Sequence, residues 1–291
     1  MMNILVEKFT ASNGWLHNFK THNAFKQYQI HGESGDAQMI GIDEQMQILQ
    51  AKISQYDHDD IYNMDEMGLF YNLAPDTIIA SRQIEGLFYH LSLSNFLGAK
   101  KDKTRLTIGF TIDATGTDRW EPLYIGHAGK PHCFKKKTGS ELGFFYLYNT
   151  KAWMMGSFFE LYLRRFNSYI GHTKMRKVLL IIDNAPSHIY DHLDLAFLEV
   201  HSLPPNTTSK LQPLDAGIIS SFKRHYQQRQ LENALTAIEL GLPPYKVNQL
   251  TAMHGSITPG LPLILLSSLI AGITQLSSTL KPSLFRMQPK N

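Results

Sequence analysis

The apolar run at Val178–Ile182 most constrains how this chain can fold. It reads VLLII, with no polar residue in it, and it ends at Asp183. Strands covered on both faces have such continuous runs, whereas strands with one wet face alternate apolar and polar residues. The preceding segment, Trp153–Tyr169, has the apolar spacing of a long helix. The pattern therefore predicts an α/β fold with Asp183 at the carboxyl end of a buried strand, where active sites of such folds gather.

Further elements follow on both sides of this run. The residues around Asp65 predict a strand-turn-strand, and the segment from Gln45 to Tyr56 is compatible with a helix. The remaining predicted elements are strands at Leu106–Ile112 and Pro122–Ile125, a short helix at Leu193–Leu198, a short strand at Glu199–Leu203 and a helix from Ala216 to about Leu240. The predicted order is three strands, a helix, a strand, a helix, a strand and a closing helix.

Composition excludes several classes of protein. The chain has 291 residues, 43% of them hydrophobic, which is typical of a globular protein with a sizeable core. Its one cysteine, Cys133, excludes an internal disulfide framework and any multi-cysteine zinc site, and it favours a reducing compartment. We expect no signal peptide. We also expect no membrane helix, because the apolar segment Leu261–Ile273 is shorter than the about 20 residues that a bilayer span needs.

Three aspartates carry the chemical signal. Asp65 lies in NMDE, Asp183 in LLIIDNAPSH and Asp215 in PPNTTSKLQPLDAG, where it begins a predicted helix. If they converge, they form a set of hard oxygen ligands that suits Mg²⁺ or Mn²⁺ and phosphate-ester chemistry. Taken singly, each aspartate fits an ordinary turn or helix start equally well. The interpretation therefore depends on convergence.

Basic residues flank these aspartates, although the net charge is only +3. They occur in three groups: Lys100, Lys101, Lys103 and Arg105; Lys130, His132, Lys135, Lys136 and Lys137; and Lys223, Arg224 and Arg229. Such groups are suited to a phosphate backbone if they share one face, and otherwise they form a solvated rim. Near the start of the chain, residues 12–25 predict an amphipathic helix, either a packing element or a DNA reader.

The motifs DNAPSH and, about thirty residues later, LQPLDAG resemble the DDE transposase superfamily. More narrowly, they are similar to its pogo and Tigger branch, which includes fungal elements and relatives of centromere protein B. The resemblance implies an α/β fold of the ribonuclease H-like kind, a mixed sheet flanked by helices, preceded by a remnant of a helix-turn-helix domain. The implied domains are residues 1–40 for the remnant, 41–57 for a linker helix, 58–245 for the catalytic core and 246–291 for an atypical tail.

The resemblance also implies a function and a site. The activity would be transposase-type endonuclease chemistry, with two-metal cleavage of DNA at an element's ends followed by strand transfer. Asp65, Asp183 and Asp215 match the catalytic and metal-binding triad, with Mg²⁺ or Mn²⁺ as cofactor. Asn184 and His188 would support the site, while Gln212 and Pro213 would shape the start of the helix. The residues expected to contact DNA are Trp15, Lys20, Lys101, Lys103, Arg105, Lys135, Lys136, Lys223 and Arg224.

Partners and alternatives follow from the same resemblance. DNA is the expected partner, in the nucleus, with homodimerisation open and with no membrane or small-molecule substrate. The alternative is a non-catalytic, transposase-derived DNA-binding or chromatin protein. Three departures favour a truncated or decayed copy: only one helix of the DNA-binding module, an apolar insert at residues 87–98, and a tail after about Leu250 that lacks helical patterning. A single remaining helix is expected to bind DNA weakly and without sequence choice.

Overall fold

The computed structural model describes residues 42–73, 102–204, 212, 214–242 and 244–256, together with residues 18, 21 and 22. The chain divides into two units, Met1–Ala37 and Gln38–Asn291. In the first unit Asn18, Thr21 and His22 are helical, and His22 Nδ1 lies 2.9 Å from the carbonyl oxygen of Asn18. Trp15, Lys20, Lys101 and the segment 87–98 lie outside the described residues.

The second unit is built on one six-stranded sheet. Its strands are β1 (Ile61–Leu69), β2 (Leu106–Asp113), β3 (Leu123–Gly126), β4 (Phe145–Tyr148), β5 (Val178–Ile182) and β6 (Leu198–Ser202). The spatial order is β4-β3-β2-β1-β5-β6. The β1/β2 and β2/β3 pairs are antiparallel, and the β3/β4, β1/β5 and β5/β6 pairs are parallel. The predicted mixed sheet is therefore confirmed.

Helices cover both faces of this sheet. They are α1 (Ile42–Ile53), α2 (Gly156–Thr173), α3 (Ile219–Glu239) and α4 (Gln249–Ser256), and a π-helical turn at Leu214–Ile218 directly precedes α3. One face packs on α2 through Tyr62, Met64 and the apolar side of α2. The other packs on α3 and α4 through Met67, Leu69 and their neighbours on β2, while α1 covers β5 on that side through Leu49. The order of strands and helices thus gives a sheet buried on both sides, as VLLII requires.

Alternation along β1 sends consecutive side chains to opposite faces. Tyr62 and Met64 belong to the core under α2, whereas Met67 and Leu69 belong to the core under α3. Because the side-chain period of a strand is two residues, Asp65 faces the α3 side and the adjacent Glu66 faces the α2 side. The two acidic residues of NMDE therefore serve different sides of the sheet.

Two predictions about elements are corrected. Asp65 lies inside one unbroken strand rather than in a strand-turn-strand, and residues 193–196 are not helical. The strand at Phe145–Tyr148 was not predicted. Helix α4 follows residue 245, and its Ala252 and Met253 are buried in the core; the domain boundary at 245 stays a prediction. No helix in the described ranges is long and apolar enough to cross a membrane.

Candidate active site at the carboxyl edge of the sheet

Asp65 lies on β1, and Asp183 is the residue directly after the neighbouring strand β5. The β1/β5 ladder pairs Ile61 with Leu179 and Asn63 with Ile181. Continuing the same offset by two residues would place Asp65 level with Asp183. Asp65 is 6% exposed, and the Asp183 side chain is 22% exposed. The register of β1 and β5 thus brings these two residues to the same edge of the sheet, and the convergence of their carboxylates stays a prediction.

His188 connects Asp183 to an acidic residue on the other face. Its Nδ1 lies 2.7 Å from Asp183 Oδ1, and its Nε2 lies 3.0 Å from Glu66 Oε1. The imidazole is 1% exposed and stacks on Phe159 of α2, with ring centroids 4.2 Å apart. The three side chains lie close enough to bind one metal ion, but both ring nitrogens already contact a carboxylate. His188 therefore supports the Asp183 carboxylate through a hydrogen bond.

The electrostatics agree with a cationic His188 between two carboxylates. Burial lowers the pKa of His188, but the hydrogen bonds that the imidazole donates to Asp183 and Glu66, together with the negative charges of these carboxylates, outweigh burial and raise it to about 10. The backbone amide of Ala185 also donates to Asp183 Oδ1, at 3.3 Å. Both of these side-chain contacts of Asp183 use Oδ1, so the carboxylate is held in one orientation.

Asp215 is carried by a segment that is hydrogen-bonded to β1. The backbone amide of Leu214 donates to Asn63 Oδ1 at 3.0 Å, and Asn63 Nδ2 donates to the Ile181 carbonyl oxygen at 2.9 Å and to Gln212 Oε1 at 3.3 Å. Gln212 in turn donates to the carbonyl oxygen of Met64 at 2.9 Å. Asn63 and Gln212 are 5% and 1% exposed. We call this pair the Asn63–Gln212 clamp.

The clamp brings the backbone of Asp215 to the face that carries Asp65. Asn63 and Asp65 are two residues apart on β1 and so share a face. Asp215 follows Leu214 directly, in the π-helical turn that leads into α3. The side chain of Asp215 lies outside what the structure describes, so its part in a triad stays a prediction. Gln212 fits the prediction that it shapes the start of this helix.

The predicted basic contacts are spread around the same unit. Lys103, Lys135, Lys136, Lys223 and Arg224 are all exposed. Lys135 and Lys136 have left-handed backbones, with φ of 50° and 69°. Arg105 is half-buried at the start of β2, where its guanidinium lies against Gly68 of β1. Asn184 is exposed on the turn after β5. Their contact with DNA stays a prediction.

Sequence reasoning missed Glu66 and Asn63. Both lie in the NMDE motif that contains Asp65, and the signal available was their position on one strand. The side chain of Asn63 lies on the same face of β1 as that of Asp65, and the side chain of Glu66 lies on the opposite face. Their partners, however, are 122 residues away for Glu66 and 151 for the Asn63–Leu214 bond. Only the fold reveals such pairings.

Comparisons with known proteins show which family this chain belongs to. Residues 103–255 match the family model described as DDE superfamily endonuclease. The chain belongs to that family. Among its relatives is CENP-B homolog protein 2 of Schizosaccharomyces pombe, 32% identical over 84% of this chain and 47% of that protein. Another is Tigger transposable element-derived protein 4 of Mus musculus, 25% identical over 79% of this chain and 42% of that protein.

These relatives confirm the resemblance to the pogo and Tigger branch. The chain spans about half the length of the curated relatives it matches, or less. Among solved structures, the chain is similar to the Mos1 mariner paired end complex with Mn, with a TM-score of 0.47 and 12% identity over 92% of this chain and 70% of that chain. The chain is also similar to the solved catalytic domain of Mos1 mariner transposase, with a TM-score of 0.40 and 14% identity. This similarity covers 85% of this chain and 97% of that chain.

Proposed function

We propose that this chain carries a DDE-type endonuclease core that cuts DNA phosphodiesters, as in cleavage of a transposon's ends and strand transfer. The observation that carries the proposal is the β1/β5 register, which extends to Asp65 beside Asp183 just beyond β5, together with the hydrogen bond from the Leu214 amide, next to Asp215, to Asn63 of β1. Such a cluster of carboxylates at one edge of an α/β sheet is suited to phosphoryl chemistry. The nucleus is the compartment proposed for a protein with this substrate.

The donor set fits Mg²⁺ or Mn²⁺. Asp65 and Asp183 offer carboxylate oxygens, the ligands that these ions prefer, and Asp215 would add a third. His188 fixes Asp183 through Oδ1, which orients the carboxylate in advance of metal binding. When bound, a pair of divalent ions activates the attacking oxygen and stabilises the leaving oxygen of the phosphodiester.

The chain's own residues would prepare the reaction in two ways. Asp65 is held among β1, β2 and α3 with little exposure, which limits water around the carboxylates and strengthens electrostatic interactions there. Glu66 and Phe159 hold His188, and His188 holds Asp183. The site is therefore preorganised by packing rather than assembled by the substrate.

A plasmid-nicking assay with Mn²⁺ tests the proposal. The purified chain is expected to nick supercoiled DNA, and Asp183→Asn is expected to abolish nicking, because the amide cannot supply the anionic oxygen. The matched control is Asp191→Asn, an exposed aspartate in the same loop region, which should nick like wild type. Equal nicking by the wild type and Asp183→Asn would overturn the proposal. Calorimetric Mn²⁺ titration gives a second readout, since Asp183→Asn should lose binding.

A second candidate is a DNA-binding or chromatin protein that does not cleave DNA. The observation that favours it is the naming of relatives as CENP-B homolog protein 2 and, at 26% identity, ARS-binding protein 1, both of Schizosaccharomyces pombe. For this candidate, DNA binding should persist unchanged in Asp183→Asn and no nicking should occur with Mn²⁺ or Mg²⁺. The same assay therefore separates the two functions. DNA is the proposed partner in either case, and sedimentation would determine whether the chain forms homodimers.

A further inference from the structure

Trp153 has an exposed indole with two cations near its ring. Trp153 is 54% exposed, although it lies in the segment that connects β4 to α2. The guanidinium carbon of Arg105 lies 5.6 Å from the centroid of its ring, and Nζ of Lys151 lies 5.8 Å from it. Both cations lie over the ring within cation–π distance, and more than half of the Trp153 surface stays exposed. We call Trp153, Arg105 and Lys151 the Trp153 platform.

The segment that carries the platform is fixed by hydrogen bonds. Asn149 Oδ1 accepts from the backbone amides of Lys151 and Trp153, at 3.0 and 3.2 Å, and Asn149 Nδ2 donates to the Trp153 carbonyl oxygen at 2.6 Å. Between them, Ala152 is fully buried with a left-handed φ of 52°. Its carbonyl oxygen accepts a 2.6 Å hydrogen bond from Thr107 of β2. Because these hydrogen bonds fix the backbone, the exposed indole of Trp153 is held in one position.

Arg105 is fixed from the other side. Its guanidinium lies against Gly68, where a Cβ would be 2.8 Å from Nε and 2.9 Å from Cζ. Nε also donates to Thr107 Oγ1 at 3.3 Å. Burial lowers the pKa of Arg105, and the negative charge of Glu66 opposes that effect. Arg105 is therefore fixed next to Glu66, and a guanidinium stays charged at ordinary pH even when burial lowers its pKa.

The platform lies at the same edge of the sheet as the aspartates. Gly68, beneath Arg105, is three residues beyond Asp65 on β1, which is about 10 Å along a strand. The carboxyl ends of β1 and β4 and the start of β2 all lie at this edge, because β2 is antiparallel to its neighbours. Gly68 has the same side of β1 as Glu66, so Arg105 lies on the α2 side of the sheet, the side of the Glu66–His188 contact that leads to Asp183. A DNA strand bound at this edge is therefore expected to meet the platform on that side.

We propose that the Trp153 platform binds an unpaired nucleotide of the DNA strand near the site of cleavage, with the base on the indole and phosphate beside Arg105 and Lys151. Bases stack on exposed aromatic rings only when they have left the duplex, because paired bases are covered by their neighbours. The two cations favour a ligand that is anionic as well as flat. This inference rests on the proposed function for its substrate class.

A binding assay without divalent metal tests the inference apart from catalysis. The full chain is titrated with a labelled single strand and with the same sequence closed as a hairpin duplex. Trp153→Ala should bind the single strand about 5- to 150-fold more weakly, the range for loss of one base–aromatic stack. Its affinity for the hairpin should change less than about 2-fold. Trp153→Phe should retain part of the single-strand affinity.

Controls separate stacking from charge and from damage to the fold. Met175→Ala alters a residue that is 77% exposed, on the turn after α2, and should bind like wild type. Trp153→Ala should leave the slope of log affinity against log salt unchanged, whereas Lys151→Gln should reduce it by about 0.7 if one phosphate contact is lost. A free nucleoside monophosphate should compete poorly. Equal competition by the monophosphate would overturn binding of a strand.

The outcomes also distinguish this inference from the proposed function. Wild-type single-strand affinity in Trp153→Ala would overturn the platform and leave the nuclease proposal standing if nicking persists. Loss of affinity in Trp153→Ala, in a chain that never nicks DNA, would support the platform and overturn the nuclease. If the wild type binds neither strand form, both the platform and the DNA substrate are refuted.

Discussion

Replacing Asn63 with alanine should release the segment that carries Asp215. The change removes three hydrogen bonds: those to the Ile181 carbonyl oxygen, to Gln212 Oε1 and from the Leu214 amide. At about 1 kcal/mol for each bond, the free energy of unfolding should fall by about 3 kcal/mol. The loss should not be offset by water, because Asn63 and Gln212 are almost fully buried. Nicking should fall as well, because the Asp215 backbone loses its contact with β1.

Urea unfolding followed by circular dichroism measures this loss. With a slope of about 3 kcal/mol per molar urea, the midpoint should move by about 1 M at an unchanged slope. Gln212→Ala removes two bonds and should cost about 2 kcal/mol, and the double variant should cost about 1 kcal/mol less than the sum, because one bond is shared. The control Asn233→Ala, exposed on α3, should stay within about 0.5 kcal/mol of wild type. A similarly small effect of Asn63→Ala would refute the clamp.

Three further predictions follow from the same contacts. Gly68→Ala should destabilise the protein by about 1 kcal/mol and displace Arg105, because its Cβ would meet the guanidinium at 2.8 Å; Gly156→Ala, whose Cβ would have 3.9 Å of room, should not destabilise it. Mn²⁺ at about 100 times its dissociation constant should stabilise the wild type by about 2.7 kcal/mol in thermal unfolding, and equal stabilisation of Asp183→Asn would contradict the metal site. Phe166→Ala in the core under α2 should cost about 3 to 5 kcal/mol in urea unfolding, and a cost below about 1 kcal/mol would contradict tight packing there.

The sequence predicts the site best where the signal is local. The apolar run before Asp183 specifies a strand covered on both faces, and the structure has that strand at the predicted residues. Helix α2 is likewise recognisable from its spacing, with a shift of a few residues at each end. Both elements are recognisable because the spacing of apolar residues within a short segment shows which side chains are buried.

The missed and wrong elements depend on distant partners. The strand at Phe145–Tyr148 is short, and its pairing with β3 is what makes it a strand. Residues 193–196 have helical spacing, but the Phe197 amide donates to Asn167 Oδ1 of α2 and the Phe197 carbonyl oxygen accepts from Val178 of β5. These bonds hold the chain extended toward β6 and override the local preference.

The pairing of β1 with β2 decides which acidic residue meets which partner. Asp65 and Glu66 lie opposite Phe110 and Gly109 in that ladder, and a slip by a single residue would exchange their two sides. A carboxylate one methylene longer would then project toward the metal site, while the shorter one would fall short of His188. The same slip would also turn Tyr62 and Met64 away from the core under α2, so the register that buries this core is the one that assigns each carboxylate to its side.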